Sequence, residues 1–164
     1  MRRWLPLLLL CACAAQGPDA YELANIRPWN IVPLSSPARL VGTFEKVCLD
    51  GPTDPDRAAA ALRAMDYVEV PGPGPIRSFA VDDNRPAVMI SATACAVGAR
   101  SRTGQTERIR AMVATRYPQA EGFIARGIEQ GWRLPSGDAI ALRRLPRPGG
   151  PNEMILMRLR GPTP

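Results

Sequence analysis

Ala87-Val88-Met89-Ile90-Ser91-Ala92-Thr93-Ala94-Cys95-Ala96-Val97 is apolar on both of its alternating faces. Such a run predicts a strand covered on one side and partly on the other. The polar break Arg100-Ser101-Arg102-Thr103-Gly104 follows it, and then Ile109, Met112, Val113 and Tyr117 form one stripe at helical spacing. The stretch therefore predicts a central strand feeding an amphipathic helix. Thr103 is the expected N-cap, with Glu107 in the first turn against the positive end of the helix dipole. Pro118 ends the helix, because it disfavours helical backbone at the residue before it.

Working outward, residues 43–49 carry Phe44, Val47 and Cys48 at i, i+3 and i+4, a short helix signal in a segment brief enough to suit a strand as well, and Asp50-Gly51-Pro52 ends it. Asp54 caps the next helix, with Pro55 at its first position and Asp56 in its first turn. The expected inner stripe of that helix is Ala58, Ala61, Leu62 and Met65. Asp50, Asp54 and Asp56 lack the alternation, the glycine and the terminal glutamate of a calcium loop, so capping explains them. Residues 67–70 and 76–81 read as strands on either side of the stiff loop Pro71-Gly72-Pro73-Gly74-Pro75. Asp82-Asp83-Asn84-Arg85 reads as a turn for local hydrogen-bonding reasons. After Pro118, the spacing of Ala120, Phe123, Ile124 and Ile128 predicts a short helix weakened by Gly122 and Gly127. Residues 139–145 and 153–159 read as two antiparallel strands, joined by a Pro/Gly loop that can continue neither. This order predicts an α+β fold, a mostly antiparallel sheet with helices packed on one face. It occupies a single domain at residues 40–160, with residues 161–164 a frayed tail.

The 164 residues suffice for one domain with a real core. Aromatics make up only 5%, so that core rests on Val, Ile, Leu, Met and Ala. The net charge is +6, from 21 basic and 15 acidic residues, and Lys46 is the only lysine. An arginine skew suits recognition of phosphate or carboxylate, and it is also what a GC-rich coding sequence produces. There is no histidine. Its absence excludes Ser-His-Asp and Cys-His catalysis. It also leaves too few ligands for a closed zinc site, and no metal or cofactor is implied.

Met1-Arg2-Arg3 is a positive n-region, and a short apolar run from Trp4 to Ala12 contains Leu7-Leu8-Leu9-Leu10. The run is too short to span a membrane and has the pattern of an export signal. Its end, Leu10-Cys11-Ala12-Cys13, resembles the lipobox of bacterial lipoproteins. That resemblance implies cleavage before Cys13, a diacylglycerol on its sulfur and a membrane anchor. Ala12-Cys13-Ala14 also fits ordinary cleavage after Ala14 or Ala15, which would release a soluble periplasmic protein. Residues 1–14 are thus read as the export signal and residues 15–39 as a proline-rich arm or tether. The apolar residues Tyr21, Leu23, Ile26, Trp29, Ile31 and Val32 suit partial packing along the domain.

Beyond the leader the chain keeps two cysteines, Cys48 and Cys95. In an exported protein an even count predicts a disulfide. That bridge would pin the first helix to the central strand. At the start of the central helix, Arg100, Arg102, Thr103, Gly104 and Arg108 form a candidate anion site of free N–H groups and guanidinium forks. Taken together, the sequence predicts an exported, lipid-anchored or soluble, non-catalytic envelope protein. Its partner would be another protein or an anionic envelope component. The alternative is a small periplasmic hydrolase using the carboxylates Asp82 and Asp83, or Ser91. No G-x-S-x-G elbow accompanies that serine. Export and the dispersal of the arginines argue against nucleic acid.

Overall fold

The computed structural model describes residues 32–71, 74–101 and 103–161. The chain enters at Val32 and runs beside the end of a central strand. There the Pro33 carbonyl accepts from the Arg100 N–H at 2.8 Å, and the Ser35 N–H donates to the Arg100 carbonyl at 3.1 Å. Helix α1 follows at Pro37–Phe44, with the Ser36 hydroxyl accepting from the Arg39 N–H at 3.2 Å. It begins earlier than the spacing of Phe44, Val47 and Cys48 suggests. Pro37 occupies N1, where its missing N–H costs nothing. The helix then widens into a π-turn, Glu45–Leu49, in which the Asp50 N–H reaches the Glu45 carbonyl at 2.9 Å. Helix α2 (Pro55–Arg63) is capped by Asp54, as its sequence predicts. Its buried side is Ala58, Ala59 and Leu62, so Ala59 takes the place expected of Ala61.

Four strands follow: β1 (Val68–Val70), β2 (Arg77–Ala80), β3 (Ala87–Ile90) and β4 (Ala94–Ser101). The run read as one central strand is therefore a hairpin. Ser91 turns it, with its Oγ accepting from the Thr93 and Ala94 N–H groups at 3.3 and 3.1 Å. A short hydroxyl side chain offers backbone donors a local partner, and this competes with a continued ladder. Helix α3 (Gln105–Arg116) comes next. Ile109, Met112 and Val113 are buried as predicted. Its N-cap is Gly104 at φ +89°, not Thr103, and no side chain caps it. Glycine takes that left-handed backbone without a Cβ clash.

The short helix expected after Pro118 is instead a strand pair, β5 (Glu121–Phe123) with β6 (Gln130–Arg133). Gly122 and Gly127 disfavour a helix, and Gly127 takes a turn conformation at φ +77°. Gly131 explains the pairing, because the Phe123 ring fills the space where any Cβ at 131 would lie. β7 (Ala139–Leu145) and β8 (Asn152–Leu159) close the chain where the sequence places them.

The eight strands form one antiparallel sheet in the order β1-β2-β3-β4-β8-β7-β6-β5. Two meanders thus meet at the β4–β8 pair, which is in register from Ala94↔Leu159 to Ser101↔Asn152. The fold is the expected α+β domain. Its core joins Leu40, Phe44, Leu62, Ile109 and Val113 of the helices to Phe79, Val88, Val97, Leu142 and Leu156 of the sheet. The alternate strand positions hold small or half-buried residues, among them Ala87, Ala96, Gly98, Met89, Ile155 and Met157. That is why the run from Ala87 reads as apolar on both faces.

Cys48 and Cys95 stand at disulfide distance, with Cα atoms 5.4 Å apart. The π-turn thus lies against β4 at a spacing that a disulfide can close. Arg158 of β8 reinforces the junction. Its Nη1 donates to the Cys48 carbonyl at 3.1 Å and its Nε to Asp138 Oδ2 at 2.9 Å. Burial tends to raise the Asp138 carboxyl. The Gly161 N–H and the Arg158 guanidinium outweigh that effect and hold it below its ordinary value. Arginine performs similar cross-ties elsewhere. Arg77 grips Glu69 with two bonds of 2.7 and 2.8 Å, and Arg144 grips Glu129 at 2.6 and 2.9 Å. Planar guanidinium forks suit such bidentate pairs, so part of the arginine skew serves the fold.

Candidate functional site

The stripe Arg39, Gly42, Thr43, Lys46 lies at i, i+3, i+4 and i+7 along α1 and into its π-turn, so these residues share one face. Two turns separate the two cations, about 10 Å along the axis. Facing this stripe are Met65 and Tyr67, from the link between α2 and β1, and Asp83, Asn84 and Arg85, from the β2–β3 turn. Together with Val47 they line an open cleft of about 790 Å³. Small-molecule sites occupy roughly 300–1,000 Å³. Turns of π-helix recur at functional sites, and here one supplies both Lys46 and Val47.

The far wall is held by its own bonds. Tyr67 donates its hydroxyl to the Pro86 carbonyl at 2.9 Å. Arg85 donates Nη1 to the Met65 carbonyl at 2.6 Å, and its backbone N–H and Nε to the two Asp83 oxygens at 2.6 and 2.7 Å. The Arg85 guanidinium also lies over the Tyr67 ring, 5.1 Å from its centre. Ser35 donates its hydroxyl to the Asn84 carbonyl. Burial pushes the Tyr67 phenol up to about 12, against the pull of Arg85. It is therefore a neutral, committed donor at any physiological pH.

The charge balance follows from those bonds. Asp83 offsets Arg85. Arg39 and Lys46 are exposed at the rim, and neither side chain has a hydrogen-bond or ion-pair partner among the described residues. The floor between them is Gly42, Val47, Met65 and Tyr67. Gly42 is the odd member. A glycine inside a helix costs about 0.5–1 kcal/mol relative to alanine. No packing at 42 requires it, since a Cβ there would meet nothing within 4 Å. What its missing side chain preserves is open space in the cavity.

The residues singled out in the sequence are distributed differently. Arg100 donates Nε to the Val32 carbonyl at 2.6 Å. Arg108 lines a separate groove between α1 and α3, with Val41, Glu45 and Arg116. Thr103 and Gly104 are exposed at the start of α3. Arg102, the acylation candidate Cys13 and Trp29 lie outside the described residues. Ser91 sits in the β3–β4 turn and Asp82 and Asp83 in the β2–β3 turn, at opposite ends of β3. Four strand residues, about 13 Å, separate them. Asp83 is engaged by Arg85, and the Ser91 hydroxyl by its own turn. These three residues do not converge. Among the described residues no group of three or more acidic or cysteine side chains is placed to hold a metal ion.

Sequence reading missed the pocket because its walls come from three separate segments. Its one sequence signal is Lys46, the lone lysine in a chain whose other basic residues are all arginine. The chain matches no family model, no curated protein and no solved structure.

Proposed function

We propose that this protein is an exported, non-catalytic envelope protein, anchored through Cys13, that binds an anionic partner at the pocket beside α1. The observation that carries the reading is the pair of unpartnered cations, Arg39 and Lys46, over an apolar floor. Cationic groups around a concave surface raise the local concentration of anions. The cysteine pair at disulfide distance and the signal-like leader support export. The separation of Ser91 from Asp82 and Asp83 favours this reading over a hydrolase built on those residues.

Amide chemical-shift mapping with inorganic phosphate tests it. Shifts are expected to cluster on residues 39–47 and 83–85, and to vanish in the Arg39→Ala/Lys46→Ala variant. Shifts spread evenly over the arginine-bearing surface would contradict a defined site.

A further inference from the structure

Resting on the reading of this pocket as an anion site, we infer that its ligand is an amphiphile: a phosphate or carboxylate head on an aliphatic chain. Two of the polar groups of the far wall, the Tyr67 hydroxyl and the Arg85 guanidinium, are already committed, while the Asn84 side chain stands exposed at its edge. The Tyr67 hydroxyl is given to Pro86, and Arg85 is divided between Asp83 and the Met65 carbonyl. Val47, Met65 and the Tyr67 ring therefore present mainly carbon to the cavity. A ligand that laid polar groups against these carbon surfaces would lose water contacts without replacing them. An aliphatic body carries no such penalty.

The rim sets the other end of the ligand. Arg39 and Lys46 stand on the same helix face, one on each side of Gly42 and Thr43. Their backbone positions are two turns apart, and both side chains are long enough to converge on a compact anionic head held between them, where Thr43 offers a hydroxyl donor. Gly42 then has a function. The absent Cβ leaves open space beside the α1 backbone, next to Val47 and Met65, that an aliphatic chain can occupy. A site for a bare anion would not need that opening, and a helix would be better served by alanine there.

A fatty acid and a phospholipid-type phosphate both supply such a head, so the test keeps both. Calorimetric titration of the oxidised protein would use inorganic phosphate, then butyl, hexyl and octyl phosphate, then hexanoate and octanoate, all below their micellar concentrations. Octyltrimethylammonium serves as the cationic control. Affinity is expected to rise about 3–4-fold per methylene until the cavity is full. The phosphate and carboxylate series then show which head is preferred. Gly42→Leu should weaken octyl phosphate at least tenfold and by a clearly larger factor than it weakens inorganic phosphate. Leucine is a strong helix former, so an unchanged or raised melting temperature shows that this variant is folded. Equal affinity for phosphate and octyl phosphate, with Gly42→Leu neutral for both, would overturn the amphiphile and leave the anion site standing. Affinity for octyltrimethylammonium equal to that for octyl phosphate would overturn both. So would octyl phosphate binding that is indifferent to Arg39→Ala/Lys46→Ala.

Discussion

Reduction of the Cys48–Cys95 pair is expected to lower the stability of the domain by about 4 kcal/mol, the loop-closure entropy of a bridge between residues this far apart. For a domain of this size that corresponds to a fall in melting temperature of about 10–15 °C. The bridge does more than close a loop. Once formed it would fix the π-turn to β4, and the π-turn supplies Lys46 and Val47 to the pocket. Arg158 bonded to the Cys48 carbonyl gives the turn a second tether. Reduction should therefore loosen Lys46 before the sheet opens. Calorimetry of oxidised and reduced protein, with the Cys95→Ser variant as a second reduced reference, measures the loss. A change below about 1 kcal/mol would place the staple outside the stability of the fold.

The second large effect distinguishes the two faces of the sheet. Leu156→Ala is expected to cost about 3–4 kcal/mol, within the usual range for a fully buried leucine. Leu156 is fully buried, on the central strand β8, paired with Val97 on one side and Leu142 on the other. Both neighbours are themselves fully buried core residues, so the void has little chance to collapse. Met157, one residue on, points to the opposite face and is only half-buried. Its alanine variant should cost about 1 kcal/mol, because a partly exposed side chain loses less transfer energy and leaves no closed cavity. Urea unfolding of both variants checks the pair. Equal losses would mean that the face carrying Met89, Ile155 and Met157 is as well covered as the helical face.

Much of this architecture is legible in the sequence, for reasons that differ by element. Asp54-Pro55 announces α2 because cap and N1 chemistry are local. The spacing of Ile109, Met112 and Val113 identifies α3 because one face of that helix is buried. The strands at 139–145 and 152–159 are bounded by a loop rich in proline and glycine. The readings that failed concern turns and pairings decided by partners distant in sequence or by a single backbone angle. Ser91 looked like one polar residue in a strand, and only the return of β4 onto β3 makes it a hairpin turn. Phe123 suited a helical stripe, yet it packs over Gly131 across a strand pair. Thr103 had the right chemistry for a cap, but the positive φ of Gly104 begins the helix one residue later. The candidate site was hidden for the same reason. Nothing local to Arg39 and Lys46 signals that Met65, Tyr67 and Arg85 lie opposite them. The anion site expected at Arg100 and Arg108 rests on closeness in sequence, whereas in the fold the two arginines engage different surroundings.

The central claim is that this polypeptide works outside the reducing cytoplasm, with its leader removed and its pocket stapled to the sheet. The intact mass of the native protein, isolated from the envelope fraction without reductant and measured again after reduction, tests that claim most directly. The expected result is a chain beginning at Cys13, carrying a diacylglyceryl group and gaining two hydrogens on reduction. A full-length chain starting at Met1, recovered from the cytosol and unchanged in mass by reductant, would contradict it.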